Sequence, residues 1–385
     1  MIRSTNRIAF GATLALMALT PLTQAQNKPE QAAKDSLSGK ASLELVFVID
    51  TTGSMGGLIE GAKSKVWSIV NEVLKSQSHP KVKVGLVAYR DLGDTYVTKV
   101  EPLSSDLDKI YSTLMSYTAD GGGDTPENVR QALLDGVRKA GWSRKSSNTA
   151  QILFLVGDAP PHNDYKNIPD CVTTAGEAVK KGIIVNAIEC GSDPEAKTAW
   201  QEIARRGEGQ FFAIEQNGGV VAISTPYDAE LSTLSGKIGS TYSAYGATKF
   251  RGDRNRRQFS DEGRFASDGH AGANADRALN KAINSEAYDK DLVQDVANGR
   301  VKLKNIKADE LPDDLQKLSP ADREKEVAKR IKDRKAITDK ILELSKKRDA
   351  FQMAELKKRK GSKTGFDEVV RQSLKAQVAK KGIKM

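Results

Sequence analysis

Short apolar runs alternate with longer segments of helical period between residues 43 and 246 of this chain. Uninterrupted apolar runs are typical of strands that are buried on both faces of a sheet. In the intervening segments apolar residues recur every three or four positions, which predicts helices that cover such a sheet. The sequence therefore predicts an α/β fold with a mostly parallel, doubly wound sheet between helices, which binds ligands where its strands end. The predicted buried strands lie at 45–49, 84–88, 152–156, 183–188 and 211–214, with an edge strand at 96–100.

The N-terminal residues have the order of a secretory signal peptide. Arg3 and Arg7 precede an apolar stretch at 8–22, and small residues follow as far as Ala25. Glycine, threonine and proline interrupt the stretch, and it is short for a bilayer span, which argues against a membrane anchor. We therefore expect cleavage after Ala25, export to the periplasm or out of the cell, and no transmembrane segment in the mature chain.

Changes in composition divide the rest of the chain. A segment rich in Gly, Arg, Asp, Asn and Ser follows the α/β part, and this composition predicts a solvated linker without a core. Helical segments come next, and the longest opens at Ser319 and Pro320 and runs toward Leu356. The predicted boundaries are 1–25 for the signal peptide, 26–40 for an N-terminal linker, 41–246 for the α/β domain, 247–275 for a flexible linker and 276–385 for a basic helical region.

Charge is divided between the two halves of the chain. Residues 26–245 hold 23 lysines and arginines against 27 acids, whereas residues 246–385 hold 35 against 23. Such a contrast suggests parts with different partners. The basic part would attract polyanions, such as an anionic envelope component, or the acidic domain itself. We do not expect a nucleic acid as partner, because no aromatic residues interleave with the positive ones and the chain is predicted to be exported.

A turn of oxygen-bearing residues comes directly after the first buried strand. Asp50, Thr52 and Ser54 stand at alternate positions, and Gly53 allows the tight backbone that brings them toward one point. Donors that are all oxygen suit a hard cation such as Mg²⁺. The alternative is an ordinary turn that caps the next helix.

Two later segments place further oxygen ligands near strand ends. Asp158 follows another apolar run, in a position from which its carboxylate can reach the same ion. Thr125 lies in a glycine-rich loop just before a helix. Both have structural alternatives, since Thr125 followed by Pro and Glu resembles a helix N-cap, and Asp158 can be a capping or turn acid.

These three segments resemble the von Willebrand factor A domain family, and the resemblance covers residues 41–246. The metal-ion-dependent adhesion site of that family (MIDAS) uses a D-x-S-x-S motif, a Thr in a later loop and an Asp after a later strand. The residues that match in order and context are Asp50, Thr52, Ser54, Thr125 and Asp158. Thr52 stands where the common pattern has Ser, and it keeps the hydroxyl. The resemblance implies a Rossmann-like sheet with one antiparallel edge strand and these five residues as metal ligands.

The resemblance also implies a function. A divalent cation, Mg²⁺ or another such as Mn²⁺ or Ca²⁺, would keep one coordination position open for an Asp or Glu of a protein partner. Asp124 would be an outer-shell acid that orders water, or else a solvated loop residue. We therefore expect an exported, non-enzymatic interaction and adhesion module. The alternative is an envelope protein that binds polyanions through its basic C-terminal region, with the metal loops structural.

Enzymatic functions lack the residues that they need. A catalytic triad on Ser54 would require one of only three histidines, and Ser54 lacks the G-x-S-x-G frame. The glycines near Ser54 resemble a phosphate loop only superficially, because Ala62 stands before Lys63 and breaks the pattern. A metal-assisted hydrolase lacks a suitable base. We expect neither nucleotide binding nor catalysis.

The chain has two cysteines, too few for a zinc or iron–sulfur site built from thiolates. Cys171 is predicted to begin a helix and Cys190 to end the following strand, both on the carboxyl rim of the sheet. In an oxidising compartment the two can form a disulfide, and two buried thiols are the alternative.

Overall fold

The computed structural model describes residues 41–76, 80–214, 223–267, 271–358 and 366–385. The predicted signal peptide and N-terminal linker lie outside the described residues. Among the residues that are described, no helix has the length and apolar character needed to cross a membrane.

The apolar runs form a sheet that is buried on both faces. Phe47 and Ile49 of the first strand point to one apolar cluster, whereas Val46 and Val48 point to another, and none of the four is exposed. The strands are β1 (Ser42–Asp50), β2 (Lys81–Tyr89), β3 (Thr98–Ser104), β4 (Thr149–Gly157), β5 (Ile183–Cys190) and β6 (Glu208–Ile214). Their order is β3-β2-β1-β4-β5-β6, and β3 pairs antiparallel with β2 while the other pairs are parallel. The predicted mostly parallel sheet with one antiparallel edge strand is confirmed.

Helices cover the sheet and continue beyond it. They are α1 (Ile59–Leu74), α2 (Leu107–Met115), α3 (Val129–Arg138), α4 (Cys171–Lys181), α5 (Pro194–Arg206), α6 (Asp228–Ser240), α7 (Thr248–Ser267), α8 (Ala271–Ile283), α9 (Leu292–Ala297), α10 (Asp313–Gln316), α11 (Pro320–Lys358) and α12 (Phe366–Ala379). One face of the sheet packs against α1 and α2, and the opposite face packs against α3, α4 and α5. Apolar residues at helical spacing therefore form the two covering layers that the sequence predicts.

The predicted flexible linker at 247–275 is wrong, because the structure has α7 and the start of α8 there. Two polar side chains of this segment, Arg251 and Gln258, are buried, and Phe265 joins the apolar cluster of α1 and α2. Arg251 Nη1 donates to the carbonyl oxygens of Gly246 and Asp309, each at 3.0 Å. A segment poor in apolar residues is thus held by hydrogen bonds and ion pairs to its neighbours.

A buried ion network connects this segment to the sheet domain. Arg277 of α8 is 1% exposed, and its Nε and Nη2 donate to the two carboxylate oxygens of Asp108 in α2 at 2.7 and 2.8 Å. Its Nη1 and Nη2 also donate to Glu262 of α7 at 3.0 and 2.8 Å, and Lys281 donates to Glu262 at 2.6 Å. Burial alone would raise the pKa of Asp108, but the charges of Arg277 and Lys281 hold it below its ordinary value.

The long helix α11 begins where the sequence predicts it. The hydroxyl oxygen of Ser319 accepts a hydrogen bond from the backbone N–H of Asp322 at 3.2 Å, as an N-cap residue does. Further along, Ile341 and Leu344 are buried in a cluster with α6 and α8. This contact packs the C-terminal helices into one compact unit with the sheet domain.

The last helix, α12, completes the apolar layer over α1 and β6. Leu374 and Val378 are buried in the same cluster as the residues of β1. The side-chain amides of Asn186 in β5 and Gln377 pair in both directions, at 3.1 and 2.8 Å, and both residues are buried. Lys381, one of the basic tail residues, donates to the carbonyl oxygen of Ser146 at 2.7 Å. The end of the predicted basic region therefore belongs to the core.

The two cysteines do not form the disulfide considered for them, since both are free and buried. Cys171 begins α4 and Cys190 ends β5, as predicted. They nevertheless lie in different apolar clusters, because Cys171 is on the α4 face of the sheet and the side chain of Cys190 points to the α1 face. The sheet itself separates the two sulfur atoms.

Both thiols are expected to be unreactive toward a disulfide reagent in the native protein and to react fully after denaturation. Burial raises the pKa of Cys171 to about 12, and burial followed by the charges of Asp158 and Asp50 also raises the pKa of Cys190. The thiolate, the reactive form, is therefore scarce at neutral pH. Thiol titration without reductant, with and without denaturant, measures this. A denatured protein that lacks titratable thiols would show that a disulfide forms.

Candidate metal-binding site

Three neighbouring strands end at the same edge of the sheet. β1 ends at Asp50, whose register partner is Tyr89 at the end of β2, and β4 ends at Gly157, directly before Asp158. A side chain at Gly157 would collide with the Tyr89 hydroxyl and bring its Cβ to 3.0 Å from the Asp50 Cβ. Glycine thus permits the close approach of these strand ends. The edge that the sequence predicted as the ligand site holds two acidic residues from neighbouring strands.

Hydrogen bonds join four of the five predicted metal ligands into one chain. Asp50 Oδ1 accepts from the backbone N–H and the hydroxyl of Thr52, at 2.8 and 2.7 Å. The Thr52 and Ser54 hydroxyl oxygens are 3.1 Å apart, and the Ser54 hydroxyl donates to Asp158 Oδ1, also at 3.1 Å. A carboxylate therefore lies at each end of two bridging hydroxyls, and hydrogen bonds connect all four groups.

The glycine-rich loop that carries Thr125 lies against this point. The Gly53 N–H donates to the Gly121 carbonyl oxygen at 2.9 Å. Gly122 has a φ of +71°, and a Cβ there would lie 2.8 Å from Glu127 Oε1 and 3.1 Å from Thr52 Cβ. Glycine is required at this position both for the left-handed backbone and for the contact with Thr52.

The structure does not join Thr125 itself to the other four ligands. Thr125 is exposed, and in the described part of the chain it makes no hydrogen bond with them. It is not the N-cap of the next helix either, because Asn128 takes that role and accepts from the Gln131 N–H at 3.1 Å. Asp158 is no helix cap, since the next helix after it is α4, which Asp170 caps.

The carboxylates at this edge have more negative charge than their surroundings neutralise. Asp50 is fully buried, its Oδ2 has no hydrogen-bond partner, and burial followed by the charge of Asp158 raises its pKa to about 7. Burial also raises the pKa of Asp158. Among the described residues, no lysine or arginine forms an ion pair with either acid. An unpaired buried carboxylate oxygen beside a second acid is the arrangement that a divalent cation stabilises.

Glu127 is a third acid at this edge, where the sequence predicts only the start of a helix. It is 2% exposed, and its Oε2 is buried without a hydrogen-bond partner. Burial, then the charges of Asp50 and Asp91, raise its pKa to about 8. The Glu127 N–H donates to the Pro160 carbonyl oxygen at 3.0 Å, which ties the loop to the end of β4. No spacing in the sequence signals this contact between two distant loops.

Asp124, predicted as an outer-shell acid or a solvated residue, is exposed and lies beside Asp91 and His162. One donor atom from each of these three residues lies within 4.8 Å of the others. The His162 ring nitrogens face Asp164 and Asp91, and within the described residues Ser54 bonds only to Thr52 and Asp158. The structure therefore contains no Ser54–His162 pair.

An open cleft of about 530 Å³ adjoins the four joined ligands. Ser54 and Asp158 line it together with Leu58, and the loop at 190–194 forms the opposite wall. A ligand that approaches through the cleft would meet the Ser54 hydroxyl and the Asp158 carboxylate first.

The sequence of this sheet domain matches a known family profile. Residues 44–216 match the von Willebrand factor A domain, and the six-stranded sheet lies within this range. Residues 44–216 form a von Willebrand factor A domain. Domains of this family are generally protein-interaction and adhesion modules, and the family often binds a divalent cation.

Two relatives are similar to part of this chain. An ariadne-like RING finger protein of Acanthamoeba polyphaga mimivirus is 30% identical over 130 residues, which are 33% of this chain and 12% of that protein. Von Willebrand factor A domain-containing protein 7 of Rattus norvegicus is 40% identical over 91 residues, which are 23% of this chain and 9% of that protein. The chain thus matches about a tenth of the length of these relatives.

Two solved structures are similar to part of this chain at low sequence identity. BatB from Bacteroides thetaiotaomicron is 18% identical, with 45% of this chain and 91% of that chain covered and a TM-score of 0.36. The pilus adhesin SpaC from Lactobacillus rhamnosus GG is 15% identical, with 46% and 28% covered and a TM-score of 0.36.

Proposed function

We propose that this protein is an exported interaction module that captures an acidic residue of a protein partner through a divalent cation. Asp50, Thr52, Ser54 and Asp158 hold the cation, and Thr125 joins them as a fifth ligand. The observation that carries the proposal is the fully buried Asp50 carboxylate, whose Oδ2 has no hydrogen-bond partner while its Oδ1 begins the hydrogen-bonded chain through Thr52 and Ser54 to Asp158. The module has no catalytic role.

The donor set supports Mg²⁺ or a similar hard cation. All the proposed ligands are oxygens, two from carboxylates and the others from hydroxyls, and Mg²⁺ retains several ligands from outside such a site. Two carboxylates balance the charge of the ion, so a third carboxylate from a partner can complete the shell through an exchangeable position. The adjoining cleft supplies the approach for that side chain.

The basic-tail alternative gains no support from the fold. Leu374 and Val378 of α12 are in the core, and Lys381 is engaged by a backbone carbonyl. Lys381 is therefore less available to a polyanion, whereas Lys375 and Lys380 are exposed.

Mn²⁺ provides a test of the open coordination position, because water on the bound ion enhances the relaxation of bulk water protons. We expect acetate to lower this enhancement in the wild-type protein as it displaces that water. Ser54→Ala should weaken Mn²⁺ binding at this site by at least about tenfold and remove the acetate-sensitive part of the signal. Ser192→Ala is the matched control, since Ser192 lines the same cleft but is exposed and outside the hydrogen-bonded chain.

Two results would contradict the proposal in different ways. If Ser54→Ala leaves Mn²⁺ binding unchanged, the ion does not bind at these residues. If the ion binds but acetate has no effect, its coordination shell is closed and the metal is structural. A pull-down with and without chelator can then ask whether a protein partner depends on the ion.

A further inference from the structure

A second group of metal-ligating side chains lies behind Glu127, away from the chain of four ligands. Asp91 follows β2, Asp124 precedes α3 and His162 follows β4, and one donor atom from each lies within 4.8 Å of the others. The backbone carbonyl of Glu127 accepts from the His162 N–H at 3.0 Å, while its side chain lies toward Gly122 and Thr52. The two groups are therefore neighbours with separate ligands.

The unpartnered atom in this group is His162 Nε2. His162 is 8% exposed, and its Nε2 is buried without a hydrogen-bond partner. Its other ring nitrogen, Nδ1, lies 2.9 Å from Asp164 Oδ1 and donates to that carboxylate. The lone pair of the neutral ring is then on Nε2, which faces Asp91 Oδ2 at 3.4 Å. A cation between these two buried atoms would satisfy both of them.

Neighbouring side chains fix both of these atoms in place. The Tyr165 hydroxyl lies 2.7 and 2.8 Å from the two carboxylate oxygens of Asp91 and holds the carboxylate in one orientation. The Tyr165 ring stacks on the His162 ring with centroids 4.3 Å apart and planes 16° apart. When one ring nitrogen of a histidine binds a metal, the other usually donates to a carboxylate that is not itself a ligand. Asp164 takes this position beside Nδ1 of His162.

The separation and chemistry of the donors favour a transition metal. Ligands about 2.0–2.1 Å from a tetrahedral Zn²⁺ are about 3.3–3.4 Å from each other, and His162 Nε2 and Asp91 Oδ2 are 3.4 Å apart. A site with one imidazole and two carboxylates suits Zn²⁺ and its neighbours in the first transition row, whereas Mg²⁺ prefers oxygen alone. Asp124, on the exposed loop, could supply a third ligand, since one of its carboxylate oxygens lies within 4.8 Å of the other two donor atoms.

We propose that Asp91, Asp124 and His162 form a second metal site that binds Zn²⁺ or a similar transition ion. Asp164 and Tyr165 position its ligands. The site is independent of the cation proposed for Asp50, and the two differ in the ions that they select.

Co²⁺, a spectroscopic substitute for Zn²⁺, tests the proposal in the presence of saturating Mg²⁺. We expect the wild-type protein to bind one Co²⁺ with the intense visible absorption of a four-coordinate ion, and Zn²⁺ to displace it. Asp124→Asn should weaken Co²⁺ binding by at least about tenfold, and because Asp124 is exposed this variant should fold normally. Asp164→Asn should weaken binding about 10- to 100-fold while it leaves all three ligands present.

Asp50→Ala separates this proposal from the proposed function. It should abolish Mg²⁺ binding and leave the Co²⁺ spectrum unchanged. The second site is refuted if Asp50→Ala removes the Co²⁺ signal, since the ion would then occupy the first site. It is equally refuted if Asp124→Asn and His162→Asn, checked for folding by circular dichroism, bind Co²⁺ as tightly as the wild type.

Discussion

In the presence of chelator, the free energy of unfolding is expected to fall as the pH rises from about 4 to about 8, the interval over which Asp50 and Glu127 lose their protons in the folded protein, and then to level off. Burial, followed by the charge of Asp158, raises the pKa of Asp50 from 3.8 to about 7. Below the unfolded-state pKa, the Asp50 carboxyl is protonated in both the folded and the unfolded state and does not change the free energy of unfolding. Between the two values the folded protein keeps a proton that the unfolded chain has lost, so stability decreases with rising pH. A shift of this size corresponds to about 4 kcal/mol.

Saturating Mg²⁺ should remove most of this loss. The ion binds the ionised carboxylates, so its affinity rises with pH over the same interval as protons leave. At a free concentration about 100 times the dissociation constant, binding to the folded state alone adds about 2.7 kcal/mol. Urea unfolding at a series of pH values, with Mg²⁺ or with chelator, measures both effects.

Asp50→Asn is the matched control, because it keeps the shape of the side chain and removes the titrating group. Its stability in chelator should depend less on pH than that of the wild type, and added Mg²⁺ should no longer stabilise it. A wild-type profile that is flat in chelator, or that falls equally in Mg²⁺, would refute the assignment of the unpaired charge to Asp50.

Arg277→Met is expected to destabilise the protein by about 3–5 kcal/mol, since it removes one partner of a buried ion pair. Arg277 is 1% exposed and Asp108 is 3% exposed, and two hydrogen bonds join them. Without the guanidinium, Asp108 and Glu262 share Lys281 as their remaining cation in this network. Denaturant unfolding measures the change, and the A domain should unfold together with α8 in one transition.

The double variant Asp108→Leu with Arg277→Met tests the reason for that loss. It removes one charge of each sign and leaves Glu262 paired with Lys281 at 2.6 Å. Because no charge is then stranded, we expect the double variant to recover most of the stability that Arg277→Met loses. If the double variant is as unstable as the sum of its single variants, packing of the arginine stem matters more than charge.

The strands and the covering helices could be predicted from the sequence because their signal is local. Phe47 and Ile49 alternate with Val46 and Val48 in one apolar run, and burial on both faces follows directly. The edge at which the site lies follows from the same pattern, since parallel strands place their ends together. The sequence alone therefore predicts that Asp50 and Asp158 lie close together.

The remaining parts of the site depend on how distant loops pack, and no local pattern reports that. Glu127 reaches the site because Gly122 has a left-handed backbone and because the loop pairs with Pro161. Asp91 and His162 meet across two loops that are far apart in sequence. Thr125 as a metal ligand stays a prediction.

The composition of residues 247–275 explains why the flexible linker predicted there is wrong. Few apolar residues and many charges are typical of solvated segments, but here Arg251 and Gln258 are buried and Arg277 anchors the following helix. In this segment, ion pairs and hydrogen bonds stabilise the helices in place of the apolar contacts that hydrophobic periodicity predicts. The disulfide considered for Cys171 and Cys190 was wrong for a related reason, because sequence position does not say which face of the sheet a side chain occupies.

The docking of α12 has a consequence for where this A domain can be cut. The family profile ends at residue 216, yet Leu374 and Val378 cover apolar side chains of α1 and β6. A fragment that stops at 216 would expose this apolar strip to water and would remove Gln377, which pairs with the Asn186 side-chain amide. A recombinant or proteolytic fragment must therefore include α12 if it is to remain a soluble, native A domain.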